Sequence, residues 1–192
     1  MIAIIKYNGG NVSSVQNSLN RLHVESVVTD DFDLIRKADK VIFPGVGEAS
    51  STMKLLKKKG LDQLIPTLKQ PVLGVCLGMQ LMCKNNEEGN TVGMGIFDID
   101  VKKFPAKNIV PHMGWNTISD FKSGIFSGIE ENSDVYFVHS FYCELSENTT
   151  SVCDYILPFS ASLQKDNFYA MQFHPEKSGD IGNRLLENFL KQ

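Results

Sequence analysis

The sequence lacks the features that mark several large classes of protein. Its 19 basic and 22 acidic residues nearly balance, so no excess of positive charge points to a nucleic-acid surface. Its four cysteines show no Cys-x-x-Cys spacing, which argues against a disulfide framework and against a zinc site. No apolar run is long enough for a signal peptide or a membrane span. These absences predict a cytoplasmic protein with no zinc site and no nucleic-acid or membrane partner, in a compartment that keeps thiols reduced.

The first half of the chain alternates short apolar runs with amphipathic segments. Val12, Val15, Leu19 and Leu22 recur at helical spacing, with Asn11 as the expected N-cap. Strands are expected at residues 2–5, 24–28, 40–43 and 72–75, and helices at 12–22, 31–37, 48–59 and 61–68. This rhythm predicts right-handed crossovers and a parallel sheet, with functional sites at the carboxyl ends of its strands.

From residue 96 onward the strands shorten and alternate in polarity, beginning with a strand over residues 97–104. Such a pattern predicts an antiparallel addition to the parallel sheet. The length of 192 residues, without repeats or a low-complexity linker, fits one domain spanning 1–192. We therefore expect an α/β fold with a mixed, mostly parallel open sheet flanked by helices.

Cys76 lies between an apolar strand of residues 72–75 and an expected helix of residues 77–84. Gly74 and Gly78 flank it at two residues on either side, the spacing that suits a sharp strand-to-helix turn bearing a nucleophile. Such a turn would project the thiol from the sheet beside a helix N-terminus, which favours the reactive thiolate. By itself, this stretch is equally compatible with a small buried cysteine of structural role.

The segment Tyr169–Glu176 favours the functional interpretation, because an apolar strand there delivers His174 with Glu176 two residues later. Residues i and i+2 of an extended segment point to the same side, and Pro175 stiffens that geometry. A carboxylate that accepts one ring N–H leaves the other nitrogen to move a proton for a thiol nucleophile. The hypothesis is a triad of Cys76, His174 and Glu176. His139 is the rival base, but it has no carboxylate two residues further on.

Several motifs resemble those of the class I, or triad-type, glutamine amidotransferases. The motifs are Gly74–Gly78, His174–Glu176, Pro44–Gly47, Pro111–Asn116, Tyr136–Ser140 and Phe173–Ser178, and the resemblance spans nearly all 192 residues. It implies a glutaminase that releases ammonia from L-glutamine through a cysteine thioester and requires no metal or cofactor. The sequence departs from the family pattern at Lys6 and Asn8, where an acidic residue and a glycine are usual.

Attack on an amide carbonyl places negative charge on its oxygen, which backbone N–H donors must meet. One donor is expected from Leu77, directly after the nucleophile. Val46 is the second candidate, because Gly45 and Gly47 on either side would let its peptide rotate. The resemblance implies that this strand has an inactive orientation, with the donor turned away until a partner binds. The alternative from the residues alone is a tight turn.

Further residues match the positions at which the family holds glutamine. The resemblance implies that Glu88 pairs with the α-ammonium group, that Gln80 supplies amide hydrogen bonds, and that the backbone of His139, Ser140 and Phe141 lies along the substrate. The resemblance also assigns Gly45 and Gly47 to the substrate-binding residues. Glu88 falls in an expected loop over residues 85–95, so a solvated carboxylate is its alternative interpretation.

The single tryptophan, Trp115, falls in an expected loop over residues 111–116. Composition alone favours a tryptophan that covers its own core. The resemblance instead implies docking against a (β/α)8 cyclase subunit on a separate chain, forming a heterodimer with an ammonia channel. That cyclase would make imidazole glycerol phosphate and aminoimidazole carboxamide ribotide in histidine biosynthesis. The residues assigned to this interface are His112, Met113, Trp115, Asn116, Tyr136 and Lys177.

Two alternatives to this function stay open from the sequence. The chain could be the glutaminase of another synthase or a triad cysteine hydrolase, or it could be a non-catalytic binding or regulatory domain on the same fold. Cys83, expected on a helix, and Cys143 and Cys153, expected in strands, are interpreted as structural thiols. The turn over residues 8–11 lacks the full spacing of a dinucleotide or phosphate loop and is interpreted as a plain turn.

Overall fold

The fold is taken from a computed structural model, which describes residues 1–7 and 11–192. Its strands are β1 (Ile2–Ile5), β2 (Ser26–Thr29), β3 (Lys40–Phe43), β4 (Val72–Val75), β5 (Cys83–Asn86), β6 (Thr91–Val92), β7 (Phe97–Lys103), β8 (His112–Ile118), β9 (Ser133–His139), β10 (Phe141–Cys143), β11 (Thr149–Asp154), β12 (Pro158–Lys165) and β13 (Phe168–Met171). Its α-helices are α1 (Val12–Arg21), α2 (Phe32–Lys37), α3 (Ala49–Lys59), α4 (Leu61–Leu64), α5 (Leu77–Met82) and α6 (Gly179–Leu190). Short 3₁₀ turns cover Ile65–Thr67, Glu88–Asn90, Gly124–Phe126 and Pro175–Lys177. Most of the turn expected at 8–11 lies outside the described residues.

The central sheet has the strand order β11-β12-β13-β4-β3-β1-β2. The pairs from β13 to β2 are parallel, whereas β11 and β12 continue the sheet in antiparallel fashion. The expected α/β fold, with a mixed and mostly parallel sheet flanked by helices, is therefore confirmed. Strands β3, β4 and β13 are direct neighbours, so their carboxyl ends lie side by side.

The sheet is covered on both faces, which explains the continuous apolar strands. In β1, Ala3 and Ile5 pack into one hydrophobic cluster, while Ile2 and Ile4 pack into the other. The first cluster includes residues of α3, α4 and α5, and the second includes residues of α1 and α6. Alternate residues of a strand point to opposite faces, so a strand buried on both faces must be apolar throughout.

Local sequence explains where several helices begin and end. The Asp31 carboxylate accepts hydrogen bonds from the N–H groups of Asp33 and Leu34 at the start of α2. Glu48 caps α3 in the same way, and Gly60 ends it in the left-handed conformation with φ 70°. Asn11 precedes α1 but makes no side-chain capping bond, contrary to expectation. Its amide nitrogen instead lies 3.4 Å from Oε1 of Glu176.

The helix after Cys76 is shorter than expected, because α5 ends at Met82 and Cys83 begins β5. Cys83 pairs in parallel with Phe97 of β7, and this pairing replaces a further helical turn. The expected loop over residues 85–95 contains the end of β5, a 3₁₀ turn and β6. The assignment of Cys83 to a helix was therefore wrong, whereas Cys143 and Cys153 lie in strands as expected.

The segment expected as a loop over residues 111–116 is mostly strand β8, which pairs with β9 as a two-stranded antiparallel ribbon. His112 lies opposite His139, and Trp115 lies opposite Tyr136. The loop assignment is wrong because Pro111 and Gly114, which favour turns, obscure the alternating polarity that favours a strand. A second small sheet has the order β10-β7-β5-β6. Across residues 1–7 and 11–192, no helix is long and apolar enough to cross a membrane.

Candidate active site

A cavity of about 340 Å³ opens at the carboxyl ends of β3, β4 and β13, within the size range of small-molecule sites. It is lined by Val46, Gly47, Cys76, Leu77, Gln80, Glu88, Pro111, Val138, His139, Ser140, Phe141 and His174. Most residues expected to bind substrate or to react therefore meet here. Glu176 lies behind His174, and Gly45 does not line the cavity.

Cys76 occupies a sharp turn between β4 and α5. Its backbone has φ 52° and ψ −109°, a conformation that residues with a side chain rarely adopt. Its N–H donates to the carbonyl of Met171 at 2.7 Å, which joins the turn to β13. A methyl group on Gly78 would lie 2.1 Å from the carbonyl oxygen of Phe43. Glycine is therefore required there because the first turn of α5 touches the backbone of β3.

The Glu176 carboxylate holds His174 from behind. Oε1 of Glu176 lies 2.8 Å from Nδ1 of the imidazole, and both side chains are buried. The two residues do not belong to one extended segment, as the sequence indicated, because Glu176 lies in a 3₁₀ turn. The His174 N–H donates to the carbonyl of Tyr136 at 2.9 Å, which ties this corner to β9. Nε2 has no hydrogen-bond partner among the described residues, and the imidazole faces the cavity.

The pKa of His174 reflects these neighbours. Burial lowers it, but the Cys76 sulfur and the Glu176 carboxylate outweigh burial and raise the pKa to about 10. The imidazolium form is thus favoured at neutral pH. A protonated imidazole beside a cysteine sulfur is the arrangement needed to hold a thiolate and to protonate a leaving amine.

The loop after β3 brings Val46 and Gly47 to the cavity wall. Gly47 has φ 117°, and the nearest atom to an added methyl group would be Oγ1 of Thr52 at 3.8 Å. Gly45 differs, because a methyl group there would lie 2.3 Å from the backbone nitrogen of Gly78. Gly45 is not among the residues that line the cavity, and its expected contact with substrate stays a prediction. Gly45 is glycine because the loop packs against α5, while Gly47 is glycine because of its backbone angle.

A chain of buried amides borders the cavity, which Gln80 lines. The backbone N–H of Glu88 donates to Oδ1 of Asn86 at 2.8 Å, and Nδ2 of Asn86 donates to Oε1 of Gln80 at 3.2 Å. Nε2 of Gln80 donates to the carbonyl of Phe141 and to Oε1 of Gln172, both at 3.0 Å. Nε2 of Gln172 lies 3.6 Å from the sulfur of Cys76. Both N–H groups of Gln80 are therefore used within the protein.

A second chain, of imidazoles, reaches the same carbonyl from β8 and β9. Nδ1 of His139 lies 2.7 Å from the carbonyl oxygen of Phe141, and Nε2 lies 3.0 Å from Nδ1 of His112. Nδ2 of Asn116 donates to Nε2 of His112 at 3.2 Å. Because a carbonyl only accepts, His139 must carry its proton on Nδ1 and His112 on Nδ1. Burial lowers the pKa of His112 to about 4 and that of His139 to about 3, which keeps both rings neutral.

Glu88 lines the cavity and is half-buried. Its Oε2 accepts a hydrogen bond from the N–H of Ala49 at 2.8 Å, at the start of α3. Burial raises the pKa of Glu88, the Ala49 N–H lowers it and Glu48 raises it further. Across the part of the chain that the structure describes, no group of three or more His, Cys, Asp or Glu side chains is arranged to hold a metal ion.

The outer face of the β8–β9 ribbon carries exposed apolar side chains. Met113 and Trp115 are 62% and 57% exposed. The Trp115 and Tyr136 rings meet edge to face at 6.0 Å, and Nζ of Lys177 lies 5.8 Å from the Tyr136 ring centre. His112, which was also assigned to the partner interface, is buried in this structure, and its contact with a partner stays a prediction. Strand alternation turns His112 and Asn116 inward, where they bond to each other.

Sequence reasoning missed several residues of the site. Gln172 and Asn86 complete the amide chain, and the Tyr7 hydroxyl donates to the carbonyl of Pro44 at 2.6 Å beneath the loop of Val46. Pro111 and Val138 line the cavity. Gln172 could have been found, because it is a lone amide in an apolar stretch, two residues before His174. Nothing in the sequence indicates Tyr7.

Comparison with known proteins agrees with this geometry. The family model of class-I glutamine amidotransferases matches residues 4–192. The chain therefore belongs to the class-I glutamine amidotransferase family. A solved structure of a glutamine amidotransferase has a TM-score of 0.75 at 17% identity, covering 100% of this chain and 98% of that one. Another, from Thermotoga maritima, has a TM-score of 0.67 at 15% identity, covering 99% and 82%. These likenesses show the shared fold.

Two curated relatives are much more similar in sequence. The imidazole glycerol phosphate synthase subunit HisH of Bacteroides fragilis is 60% identical, over 99% of this chain and 98% of its own length. The subunit HisH of Bacteroides thetaiotaomicron is 58% identical, over 98% of each chain. The resemblance inferred from the motifs is thus confirmed. It extends to the glutaminase subunits of imidazole glycerol phosphate synthase.

Proposed function

We propose that this chain is the glutaminase subunit of an imidazole glycerol phosphate synthase and uses Cys76, His174 and Glu176 as its catalytic triad. The Cys76 sulfur attacks the side-chain amide carbon of L-glutamine, and His174 protonates the departing ammonia. Water, deprotonated by His174, then cleaves the thioester to release glutamate and restore the thiol. The observation that carries this proposal is the His174 ring held by Glu176 at 2.8 Å, with its pKa raised by the Cys76 sulfur.

The oxyanion is met by backbone N–H groups of Leu77 and Val46. Leu77 is the first residue of α5, where N–H groups have no acceptor within the helix. Val46 is 40% exposed at the cavity wall, next to Gly47. The Val46 N–H belongs to the peptide between Gly45 and Val46, so turning this donor rotates the backbone about ψ of Gly45 and φ of Val46. Glycine at position 45 permits this rotation, whereas a side chain there would meet the backbone of Gly78 in α5.

Glutamine lies across the cavity with its α-ammonium group toward Glu88. The backbone of His139, Ser140 and Phe141 forms the opposite wall. Gln80 contributes mainly by holding the Phe141 carbonyl, because both of its N–H groups are used within the protein. Its Oε1 already accepts from Asn86, so only the second lone pair of that oxygen is left to accept from substrate. One domain, residues 1–192, carries the whole site.

The released ammonia passes through a channel to a (β/α)8 cyclase on a separate chain, which forms a heterodimer with this glutaminase. The cyclase makes imidazole glycerol phosphate and aminoimidazole carboxamide ribotide in histidine biosynthesis. The exposed pair Met113 and Trp115, with Tyr136 and Lys177, supports docking of such a partner. A reducing cytoplasm is the proposed compartment, because the reaction needs a free thiol.

The test is glutamate release by this chain mixed with its cyclase, with and without the cyclase ligand. We expect release that requires the cyclase and is abolished by Cys76→Ala. Trp115→Ala should weaken the complex, whereas Val92→Ala, which removes another exposed apolar side chain, should not. Release by Cys76→Ala, or an inert wild-type complex, would contradict the proposal. The second outcome would favour a binding or regulatory domain.

A further inference from the structure

We propose that Gln172 is an additional catalytic residue, whose side-chain N–H group donates to the Cys76 thiolate and stabilises it. This inference rests on the proposed function of Cys76 as the nucleophile. Gln172 has no exposed surface, and its Nε2 lies 3.6 Å from the sulfur, within the range of a hydrogen bond to sulfur. The triad and the oxyanion donors do not account for this contact.

The orientation of the Gln172 amide follows from its neighbours. The Phe141 carbonyl can only accept, so the group of Gln80 that faces it must be Nε2. The same Nε2 lies 3.0 Å from Gln172, which must therefore present Oε1 to it. The remaining group of Gln172, its Nε2, then faces Cys76. A flipped amide would place two donors against each other.

The other end of the chain gives the same answer independently. The backbone N–H of Glu88 can only donate, so Asn86 presents Oδ1 to it. Nδ2 of Asn86 then faces Gln80, which must offer Oε1 there and Nε2 toward Gln172. The Phe141 carbonyl and the Glu88 N–H therefore require the same orientation of the Gln80 amide, and that orientation determines the one of Gln172. The donor aimed at the sulfur is built into the fold before substrate binds.

A fixed donor at this position stabilises the charged sulfur more than the neutral thiol. His174 supplies a charge on one side of the sulfur, and Gln172 supplies a neutral dipole from another. The backbone of Gln172 is itself held, because its N–H donates to the carbonyl of Ala161 at 2.8 Å. Burial of the whole amide chain strengthens the bond, since water does not compete for the donor.

The test is the alkylation of Cys76 by iodoacetamide as a function of pH, read by intact mass, with Cys76→Ser as the blank. Gln172→Met keeps the size of the side chain but removes the donor. We expect the midpoint for the reactive thiolate to rise by about one pH unit, a roughly tenfold loss of thiolate below the midpoint. Gln172→Glu should raise it further, because an oxygen replaces the donor.

Other titratable groups near the sulfur are unchanged in these variants: His174, His139, Tyr7, Cys143 and Glu88. Asn188→Leu is the matched control, because it removes a buried amide that bonds to the carbonyls of Ile125 and Ser127. It should lower thermal stability without moving the midpoint. A folded Gln172→Met protein with the wild-type midpoint would overturn the proposal.

A measurement on the unmodified protein covers the case in which Gln172 variants do not fold. The side-chain amide resonances of Gln172, labelled with nitrogen-15, should shift as Cys76 titrates and should not shift in Cys76→Ser. Resonances that stay constant through the titration would overturn the proposal. Neither experiment uses glutamine or the cyclase, so a complex that releases no glutamate would refute the proposed function and leave this result standing.

Discussion

His174 and His139 line the same cavity from different regions of the molecule. One region favours a charged imidazole ring, and the other favours a neutral one. At the corner after β13, a carboxylate lies behind His174 and its pKa is raised to about 10. In the β8–β9 ribbon, a carbonyl and a second imidazole surround His139, and burial lowers its pKa to about 3. Both side chains are nearly inaccessible to solvent.

The difference shows that burial alone does not decide the charge of an imidazole. Burial penalises the charged form in both regions, and only a negatively charged neighbour reverses that penalty. The corner is therefore suited to moving a proton, whereas the ribbon is suited to holding a neutral wall in one geometry. Four experiments would break or sharpen this comparison.

Exchanging each ring for asparagine should separate the two roles most strongly. We expect His174→Asn to lower the rate of glutamate release by at least about 10⁴-fold, because the proton carrier is lost. His139→Asn should cost roughly tenfold, because the Phe141 carbonyl loses one of its two donors and the substrate wall shifts. Both are measured with the cyclase present. Equal losses in the two variants would remove the distinction.

Glu176→Gln should change the corner into a second neutral site. The amide removes the negative charge and can donate to Nδ1, which places the ring proton on the wrong nitrogen. We expect a loss of about 10³-fold in glutamate release, with a lowered pKa of His174 by NMR titration. Glu187→Gln, which breaks an exposed ion pair with Arg184, is the control and should leave the rate unchanged.

Stability should depend on pH in opposite directions in the two regions. The folded pKa of His174 lies above its unfolded value of 6.5, so its contribution is complete below pH 6.5 and is lost as pH rises toward 10. The folded pKa values of His112 and His139 lie below 6.5, so their contribution is complete above pH 6.5 and is lost as pH falls toward 4 and 3.

Urea denaturation of the wild type and of each asparagine variant measures these slopes. His174→Asn should flatten the free energy of unfolding between pH 6.5 and 10, and His139→Asn should flatten it between pH 6.5 and 3. The effect is expected to be about 2 kcal/mol, since one unit of pKa shift is worth about 1.4 kcal/mol and coupled groups share their shifts. If the free energy of unfolding changed with pH in the same way in all three proteins, the shifted pKa values of His174 and His139 would be contradicted.

The smallest expected effect comes from giving the ribbon its own carboxylate. Asn116 bonds to Nε2 of His112, so Asn116→Asp places a negative charge where the amide donor was. The pKa of His112 should rise by about one unit in an NMR titration. Asn116→Ala removes the donor without adding charge and should leave that pKa low. If Asp and Ala behave alike, burial rather than the neighbouring group controls the ring.

The sequence was sufficient for the parts of this protein that depend on local spacing. The apolar runs of β1, β3 and β4, the glycines around Cys76 and the His174-Pro175-Glu176 segment are each readable within a few residues. They predicted the parallel half of the sheet and the three residues now proposed to react. The end of α5 and the strand character of β8 were missed, because pairing with distant strands outweighed local preference.

Only the tertiary structure decided how polar groups far apart in sequence satisfy one another. Gln172 joins Gln80 and Asn86 in one chain because the segment after β13 meets α5 and β5 beside the cavity, and His112 turns inward because β8 pairs with β9. Residue type and local spacing by themselves determined which side chains could react. Their charge and orientation depend on neighbours brought close by folding, and no local pattern encodes those neighbours.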